Sequence, residues 1–254
     1  MRTVRLVSLV CGWVFGLLSG IAEAQLPPSA APQAPPFLRR THAAMTVGTR
    51  IKSVAMTGSI TLYGASRNAS STFSFTADNN GQSRFDVYGS SGEFRTVSGG
   101  VPSGSGVGPN GVSYAVGAQN PMTTSAWFFP ALDIASRLVA RDYAKSYVSR
   151  ETKDGVVVNH LQVWEQANGA TTDARTSVRG LTLEDIYVDE MTHMPVLVAF
   201  NLHLGNGGLS NVPVQIHFSN YRRVQNCPVA YHIQVYMNGA LFWDIQLSSA
   251  SLNY

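Results

Sequence analysis

The last third of the chain, from Leu183 to Asn253, alternates apolar and polar residues in segments separated by turn-forming residues such as Gly205–Gly208. A period of two places successive side chains on opposite faces of a strand, so each segment predicts a strand with one apolar and one polar face. Long antiparallel strands of this kind form a wide sheet whose apolar face has to be covered. The apolar positions are Ile186, Val188, Val196, Val198, Phe200, Leu202, Leu204, Val212, Val214, Ile216, Phe218, Val229, Tyr231, Ile233, Val235, Met237, Leu241, Trp243, Ile245 and Leu247.

The N-terminus has the features of an exported protein. Arg2 and Arg5 precede an almost wholly apolar run over residues 6–21, and Ala22-Glu23-Ala24 places small residues where a signal peptidase cleaves. We predict a secretory signal over residues 1–24, a Pro- and Ala-rich linker over 25–42 and one domain over 43–254. The alternative is a membrane anchor, which needs about 18 to 20 apolar residues and a stop-transfer flank. Cleavage near Ala24 would place the protein in the periplasm or outside the cell.

Charge and cysteine content argue against a nucleic-acid partner and against an intramolecular disulfide. Lys and Arg exceed Asp and Glu by three in the whole chain, without a basic block, so nucleic acid is not an expected partner. Once the signal is removed, Cys227 is the one remaining cysteine, which excludes an intramolecular disulfide. We interpret Cys227 as a small, partly buried apolar residue. We expect the protein to be a monomer.

The first two thirds of the chain predict further strands and a helix. A hairpin is indicated by Phe73 and Phe75, the turn Asn79-Asn80-Gly81, and then Phe85 and Val87 on one face. A short helix from about Ala43 leads into the first strand. A second helix begins with Pro130 at its first position and continues through Leu132, Ala135, Leu138 and Val139. Residues 98–111 are rich in Gly, Ser and Pro and predict a surface loop, and residues 145–151, 156–164 and 179–189 predict strands.

These elements together predict a mainly β fold. We expect a strongly curved antiparallel sheet, an unclosed half-barrel of about ten or eleven strands, with one or two helices over the concave face. All-β domains of about 200 to 250 residues are common, so a chain of 254 residues suits one such domain.

The sequence contains few patterns typical of catalytic or metal-binding sites. No serine has the flanking glycines of a nucleophile elbow, and no two histidines have zincin spacing. His217 and His232 could lie close across a hairpin and take part in a metal site, but a solvated outer face explains them equally well. Asp185, Asp189 and Glu190 could serve a hydrolase if they were buried together, although we expect solvated turn residues. We therefore predict no catalytic residues, no metal and no cofactor.

Several segments, in their order along the chain, resemble the LolA/LolB-like family of outer-membrane lipoprotein-sorting proteins. Phe129-Pro130-Ala131-Leu132 resembles the start of the family's lid helix, and the run from Ile186 to Asp189 with Thr192 and Pro195 resembles one of its hairpins. The segments 218–221, 228–233 and 243–253 resemble its last three strands. The resemblance covers roughly residues 46–253 and implies an unclosed half-barrel, location in the periplasm, binding of acyl chains and no enzymatic activity.

The resemblance implies a carrier of lipid or of acylated protein, with an apolar trough as the binding site. An alternative is a structural or interaction module of the cell envelope with a filled core and an envelope protein as partner, and a third reading is a hydrolase. An arginine can bind a carboxylate or phosphate head group bidentately, and we take Arg84 as the candidate. The ligand-cavity candidates are Phe73, Phe75, Phe85, Val87, Trp127, Phe128, Leu132, Phe200, Ile216, Phe218, Ile233 and Trp243.

Overall fold

The computed structural model describes residues 36–63, 68–89, 92–99, 104–107, 111–116, 128–203 and 211–254. The predicted signal, most of the predicted linker and Trp127 lie outside these residues. The described residues belong to one unit that spans 31–254. Its strands are β1 (Ser53–Leu62), β2 (Ala69–Asp78), β3 (Gln82–Gly89), β4 (Gly92–Gly99), β5 (Gly104–Val107), β6 (Ser113–Val116), β7 (Tyr143–Lys153), β8 (Val156–Glu165), β9 (Glu184–Asp189), β10 (Pro195–His203), β11 (Asn211–Val224), β12 (Cys227–Met237) and β13 (Ala240–Asn253).

All of these strands form one antiparallel sheet. Its order is β6-β5-β4-β3-β2-β1-β13-β12-β11-β10-β9-β8-β7, so hairpin neighbours pair and the first strand pairs with the last. The described sheet is open, with β6 and β7 at its two edges. The predicted mainly β, unclosed sheet is confirmed.

The sheet has thirteen strands within the described residues, where about ten or eleven were expected. Part of the difference comes from the Gly- and Ser-rich region, where residues 98–111 were predicted to be a loop. β4 extends to Gly99, and β5 pairs with β4 on one side and with β6 on the other. Backbone hydrogen bonds to two neighbouring strands offset the weak strand propensity of glycine. Pairing with these strands, rather than the local sequence, therefore makes this segment a strand.

In the part of the chain that the structure describes, three helices accompany the sheet: α1 (Pro36–Thr46), α2 (Asp133–Val139) and α3 (Thr172–Thr182). The helix expected from about Ala43 begins earlier, because Leu38, Thr41 and Met45 have helical spacing and are all buried. The helix expected from Pro130 begins later, at Asp133. Pro130 itself lies in the preceding turn, and its carbonyl oxygen accepts a hydrogen bond from the backbone N–H of Ala135. None of the helices in the described part of the chain is long and apolar enough to cross a membrane.

α3 corrects the prediction of a strand over residues 179–189, of which β9 occupies the end. Thr171 accepts a hydrogen bond from the backbone N–H of Ala174 and caps the helix, and Asp173 lies in the first turn. No residue of α3 is buried. The helix lies on the polar outer face of β8, where the Arg179 guanidinium carbon is 4.4 Å from the centre of the Trp164 ring.

The paired strands place most of their apolar residues on one face, as the alternation predicts, and Val158, Tyr187 and Leu197 form a smaller separate cluster. The predicted hairpin is present as β2 and β3, with Phe73 opposite Val87 and Phe75 opposite Phe85. Asp78 stabilises its turn by accepting hydrogen bonds from the backbone N–H groups of Asn80 and Gln82, each at 2.9 Å. The buried face continues across the central strands to β8, and it forms the concave side of the sheet.

A bulge at Gly58 allows β1 to follow the curvature. The register between β1 and β13 shifts between Thr57 and Gly58. A Cβ atom at position 58 would lie 2.1 Å from the Gln246 carbonyl oxygen and 2.9 Å from the Leu247 Cα. Since both contacts are with backbone atoms, the position requires glycine.

We expect Gly58→Ala to lower the free energy of unfolding by about 1 to 3 kcal/mol or more, because the strands have to separate to admit the methyl group. Urea unfolding measures the change. Gly180→Ala is the matched control. A Cβ at Gly180 in α3 meets nothing within 4 Å, and this variant should be neutral or more stable by up to about 1 kcal/mol. A stable Gly58→Ala protein would show that the bulge is not needed.

Candidate functional site

The predicted ligand-cavity residues share the concave face of the sheet. Register pairs link them from strand to strand: Val235 lies opposite both Ile216 and Trp243, and Ile233 lies opposite Phe218. Phe200, on β10, continues the same apolar surface. We call this concave apolar surface the trough. The structure brings together all of the candidates on the sheet, and Trp127 lies outside the described residues.

Residues 128–139 cover the trough, and we call this segment the cover. The Phe128 ring is 4.9 Å from the Phe85 ring, 5.6 Å from the Phe75 ring and 6.3 Å from the Trp243 ring, measured between centroids. Phe129, Leu132 and the inward residues of α2 extend the contact and are buried. The cover therefore seals the aromatic part of the trough.

The described candidates pack against one another and against the cover. Leu132 is the most exposed of them, at 8%. α1 closes the trough beside the cover, because Leu38 and Met45 belong to the same apolar cluster. Val139 was predicted to lie on the apolar face of this helix, but it is 62% exposed at the outer end of α2. In this conformation the described trough residues are buried within one apolar cluster of the protein's own side chains.

Arg84, the head-group candidate, lies on the outer face. Its neighbour Phe85 points into the trough, and side chains alternate along the strand. The Arg84 side chain is 47% exposed and forms an ion pair with Asp86, with 2.5 Å between Nε and Oδ2. It lines a polar groove of about 650 Å³ at the ends of β1 and β2, together with Asp78 and Asn253.

A buried ion triad attaches the cover to the sheet. Arg137 of α2 forms ion pairs with Asp133 one turn earlier (2.8 Å) and with Glu184 of β9 (2.5 Å). The Arg137 and Glu184 side chains are only 6% and 3% exposed. Sequence reasoning missed this triad, although two signals were present. Glu184 occupies the same alternation phase as Ile186 and Val188, and Asp133 and Arg137 are four residues apart.

The triad holds one cation for two carboxyl groups. Burial raises the pKa of Glu184 to about 7, although Arg137 opposes the rise, and it also raises the pKa of Asp133. Burial alone would lower the pKa of Arg137, but the carboxylates of Asp133 and Glu184 raise it above its usual value. Arg137 therefore stays charged while one of the two carboxyl groups readily holds a proton.

β7 contributes two further contacts to the same end of the cover. The Lys145 ammonium donates a hydrogen bond to the carbonyl oxygen of Ala140, just after α2 ends. The Tyr143 ring lies 5.5 Å from the Arg137 guanidinium carbon. The cover is thus held by apolar contacts along its length and by polar contacts with β7 and β9 near its C-terminal end.

The titratable groups considered for catalysis lie apart on the outer face and its turns. Asp185 contacts His160 at 2.7 Å, Asp189 accepts hydrogen bonds from its own turn, and Glu190 pairs with Arg150. His217 and His232 are not cross-strand partners, because their partners are Gln234 and Ser219.

His232 belongs to a hydrogen-bonded network across β11, β12 and β13. Its ring nitrogens lie 3.1 Å from Ser219 Oγ and 3.2 Å from Asp244 Oδ1, while Gln234 and Gln246 donate to the same carboxylate. Within the described residues, no three His, Cys, Asp or Glu side chains are placed to hold a metal ion. Cys227 is buried with its Sγ 3.2 Å from the Met45 carbonyl oxygen, and burial raises the pKa of its thiol to about 11.

Comparison with known proteins identifies the fold. No protein-family model and no curated protein matches the sequence. Among solved structures, a DUF1329 family protein from Desulfovibrio piger is similar with a TM-score of 0.55 at 10% identity, over 85% of this chain and 90% of that one. A LolA superfamily protein from Nitrosomonas europaea is similar with a TM-score of 0.52 at 11% identity, over 88% of this chain and 95% of that one.

Both similarities extend over most of each chain, and the open antiparallel sheet agrees with them. At these identities they establish the fold alone. The chain therefore shares its fold with these two proteins, one of which is a LolA superfamily protein.

Proposed function

We propose that this protein is a non-enzymatic carrier that binds lipid, or the acyl chains of a lipidated protein, in the trough. The signal over residues 1–24 exports it to the periplasm. The observation that carries the proposal is the construction of the trough. A continuous apolar face of the sheet is closed over its aromatic part by a short separate segment, residues 128–139, rather than by a second layer of strands.

A bound acyl chain would take the place of the cover. The cover buries five large apolar side chains, which at about 1.5 to 3 kcal/mol each represent roughly 8 to 15 kcal/mol. An acyl chain of about sixteen carbons gains about 12 kcal/mol on transfer from water, at about 0.8 kcal/mol per methylene. Because the two quantities are similar, exchange of the cover for a lipid is close to balanced, which suits a carrier that has to load and release.

The polar contacts of the cover give this exchange a defined hinge. Arg137, Glu184 and Lys145 hold the C-terminal end of the cover against β9 and β7. Phe128 and Phe129, at its start, make apolar and aromatic contacts in the trough. We expect the segment to open first at the Phe128 side, where a lipid enters beside Phe85 and Trp243, and the ion triad to separate last, once the lipid has replaced the apolar contacts of the cover.

The second candidate function is an envelope interaction module with the same fold. The full burial of the described trough residues favours it, since a core filled by its own side chains has no need of a ligand. In that case the trough serves stability, and function lies on the outer surface. The two candidates differ in one measurable property, which is whether acyl chains reach the trough.

Brominated acyl chains test this directly, because bromine quenches tryptophan fluorescence on contact. We prepare two single-tryptophan proteins, both with Trp13→Phe and Trp127→Phe. One retains Trp243 in the trough (Trp164→Phe), and the other retains Trp164 on the outer face (Trp243→Phe). A lysophospholipid with a brominated chain should quench Trp243 in a saturable manner at one ligand per protein and should leave Trp164 unchanged. Equal quenching of the two, or none, would support the filled-core module instead.

The ion triad predicts an unusual dependence of stability on pH. Glu184 has a pKa of about 7 in the folded protein and an ordinary value of 4.5 in the unfolded chain. Between these values the folded protein holds a proton that the unfolded chain has released, so its free energy of unfolding falls as the pH rises. The stabilisation from the protonated Glu184 is fully present below pH 4.5, the pKa of this group in the unfolded chain, and it is lost as the pH rises through about 7. The loss is up to about 3 kcal/mol.

Urea unfolding of Glu184→Gln across this range measures the effect. The variant should show a much flatter dependence on pH than the unmodified protein, because glutamine does not titrate. Glu190→Gln is the matched control. Arg150 lowers the pKa of the exposed Glu190, so Glu190 titrates below the window and this variant should keep the original slope. A Glu184→Gln protein with an unchanged slope would contradict the assignment.

A further inference from the structure

Two long stretches of the sequence contain no acidic residue. No Asp or Glu occurs between Pro36 and Ala77, nor between Asn211 and Trp243. The first stretch includes α1 and β1, and the second includes the hairpin of β11 and β12. The basic residues in these stretches are therefore not balanced by neighbours in sequence, and their effect depends on where the fold places them.

The fold brings parts of the two stretches to one corner of the molecule. Cys227, where β12 begins, contacts the carbonyl oxygen of Met45 near the end of α1 at 3.2 Å. The Tyr254 hydroxyl donates a hydrogen bond to the Gln225 carbonyl oxygen at 2.8 Å. The backbone N–H of Lys52 donates to the Asn253 carbonyl oxygen at 2.7 Å. The end of α1, the start of β1, the end of β13 and the β11–β12 turn thus meet.

We call this region, together with the whole of α1, the basic corner. Its six cationic side chains are exposed, and within the described residues none of them forms an ion pair. Two of them make other contacts, which leave their charges in place: Arg223 donates to the Asn226 carbonyl oxygen, and Arg222 lies over the Tyr231 ring. The six are Arg39, Arg40, Arg50, Lys52, Arg222 and Arg223.

The acidic side chains at the same ends of the strands are already engaged. Asp78 accepts hydrogen bonds from the backbone of its own turn. Across β10, Asp189 does the same in the turn before that strand, and Glu190 pairs with Arg150. Arg150 offsets the charge of Glu190, whereas Asp78 and Asp189 keep their charges, so the six cations of the basic corner still outnumber these two carboxylates.

Apolar side chains accompany these cations. Val47, just after α1, is 41% exposed, and Tyr254 is 40% exposed. A soluble polyanion would need the cations alone, whereas a bilayer surface accommodates cations at its phosphates and apolar groups just below them. Five of the six cations are arginines, whose guanidinium groups bind phosphate oxygens bidentately.

From these observations we propose that the basic corner docks the protein onto the surface of an anionic phospholipid bilayer. Phosphate head groups bind the arginines, while Val47 and Tyr254 enter the interface. The docking does not depend on whether the trough carries lipid. It orients the molecule with α1 and the β11–β12 turn toward the membrane.

Vesicle co-sedimentation tests the proposal with the whole exported protein. The protein should bind vesicles of equal parts phosphatidylglycerol and phosphatidylcholine, should not bind vesicles of phosphatidylcholine alone, and should dissociate as salt is raised to about 0.5 M. A variant with Arg39→Gln, Arg40→Gln, Arg50→Gln and Arg223→Gln should lose at least about fiftyfold in affinity, since each basic residue near an anionic surface contributes about fivefold.

The matched control removes four cations elsewhere, with Arg141→Gln, Arg150→Gln, Lys153→Gln and Arg175→Gln. It has the same net charge as the first variant and should bind the anionic vesicles within about threefold of the unmodified protein. Circular dichroism and urea unfolding confirm that both variants are folded. If both variants lose binding equally, net charge rather than the basic corner is responsible, and the proposal is wrong.

Two other outcomes would also overturn it. Absence of binding to the anionic vesicles would do so, as would binding to soluble heparin without binding to vesicles. The protein with Trp243 as its single tryptophan separates docking from lipid uptake when the vesicles carry brominated chains. If the protein sediments with the vesicles but Trp243 is not quenched, docking is supported and the carrier function fails. If monomeric lipid quenches Trp243 but the protein does not sediment, the carrier function is supported and docking fails.

Discussion

The structure depends on one constraint, which is that an open antiparallel sheet has a large apolar face that water must not reach. Thirteen strands in the described ranges pair in a single layer, and the β-bulge at Gly58 helps that layer to curve. Curvature alone leaves the concave side open, so α1 and residues 128–139 complete the core. The elements that cover the trough are therefore essential to the folded state and are also the elements that a bound lipid would have to displace.

The Asp133–Arg137–Glu184 triad makes the position of the cover specific. Apolar contacts alone tolerate many arrangements of a short helix over a smooth surface, whereas a buried ion pair has one satisfactory geometry. Desolvation of these buried groups offsets much of their mutual attraction, so the triad contributes orientation more than stability. A helix held in this way can move at one end while it keeps its register at the other.

The sequence predicts those parts of the fold that follow from local periodicity. Alternation identifies the strands around Ile216 and Ile233, and the turn residues at Asn79–Gly81 identify the hairpin of β2 and β3. Features that depend on distant partners were not predictable. β5 is a strand because β4 and β6 flank it, and Arg137 finds Glu184 only through the fold. The overall charge of the chain does not reveal the basic corner, since its residues come from α1, from the segment between α1 and β1, and from β11.

The central claim is that the trough exchanges its cover for an acyl chain. Native mass spectrometry of the protein purified from a periplasmic extract without detergent, combined with lipid extraction of the same sample, tests this most directly. The account predicts a fraction of molecules with one adduct whose mass matches a lipid in the extract. A uniform ligand-free mass that does not change after incubation with phospholipid or lipopeptide would contradict it, and the trough would then be a filled core.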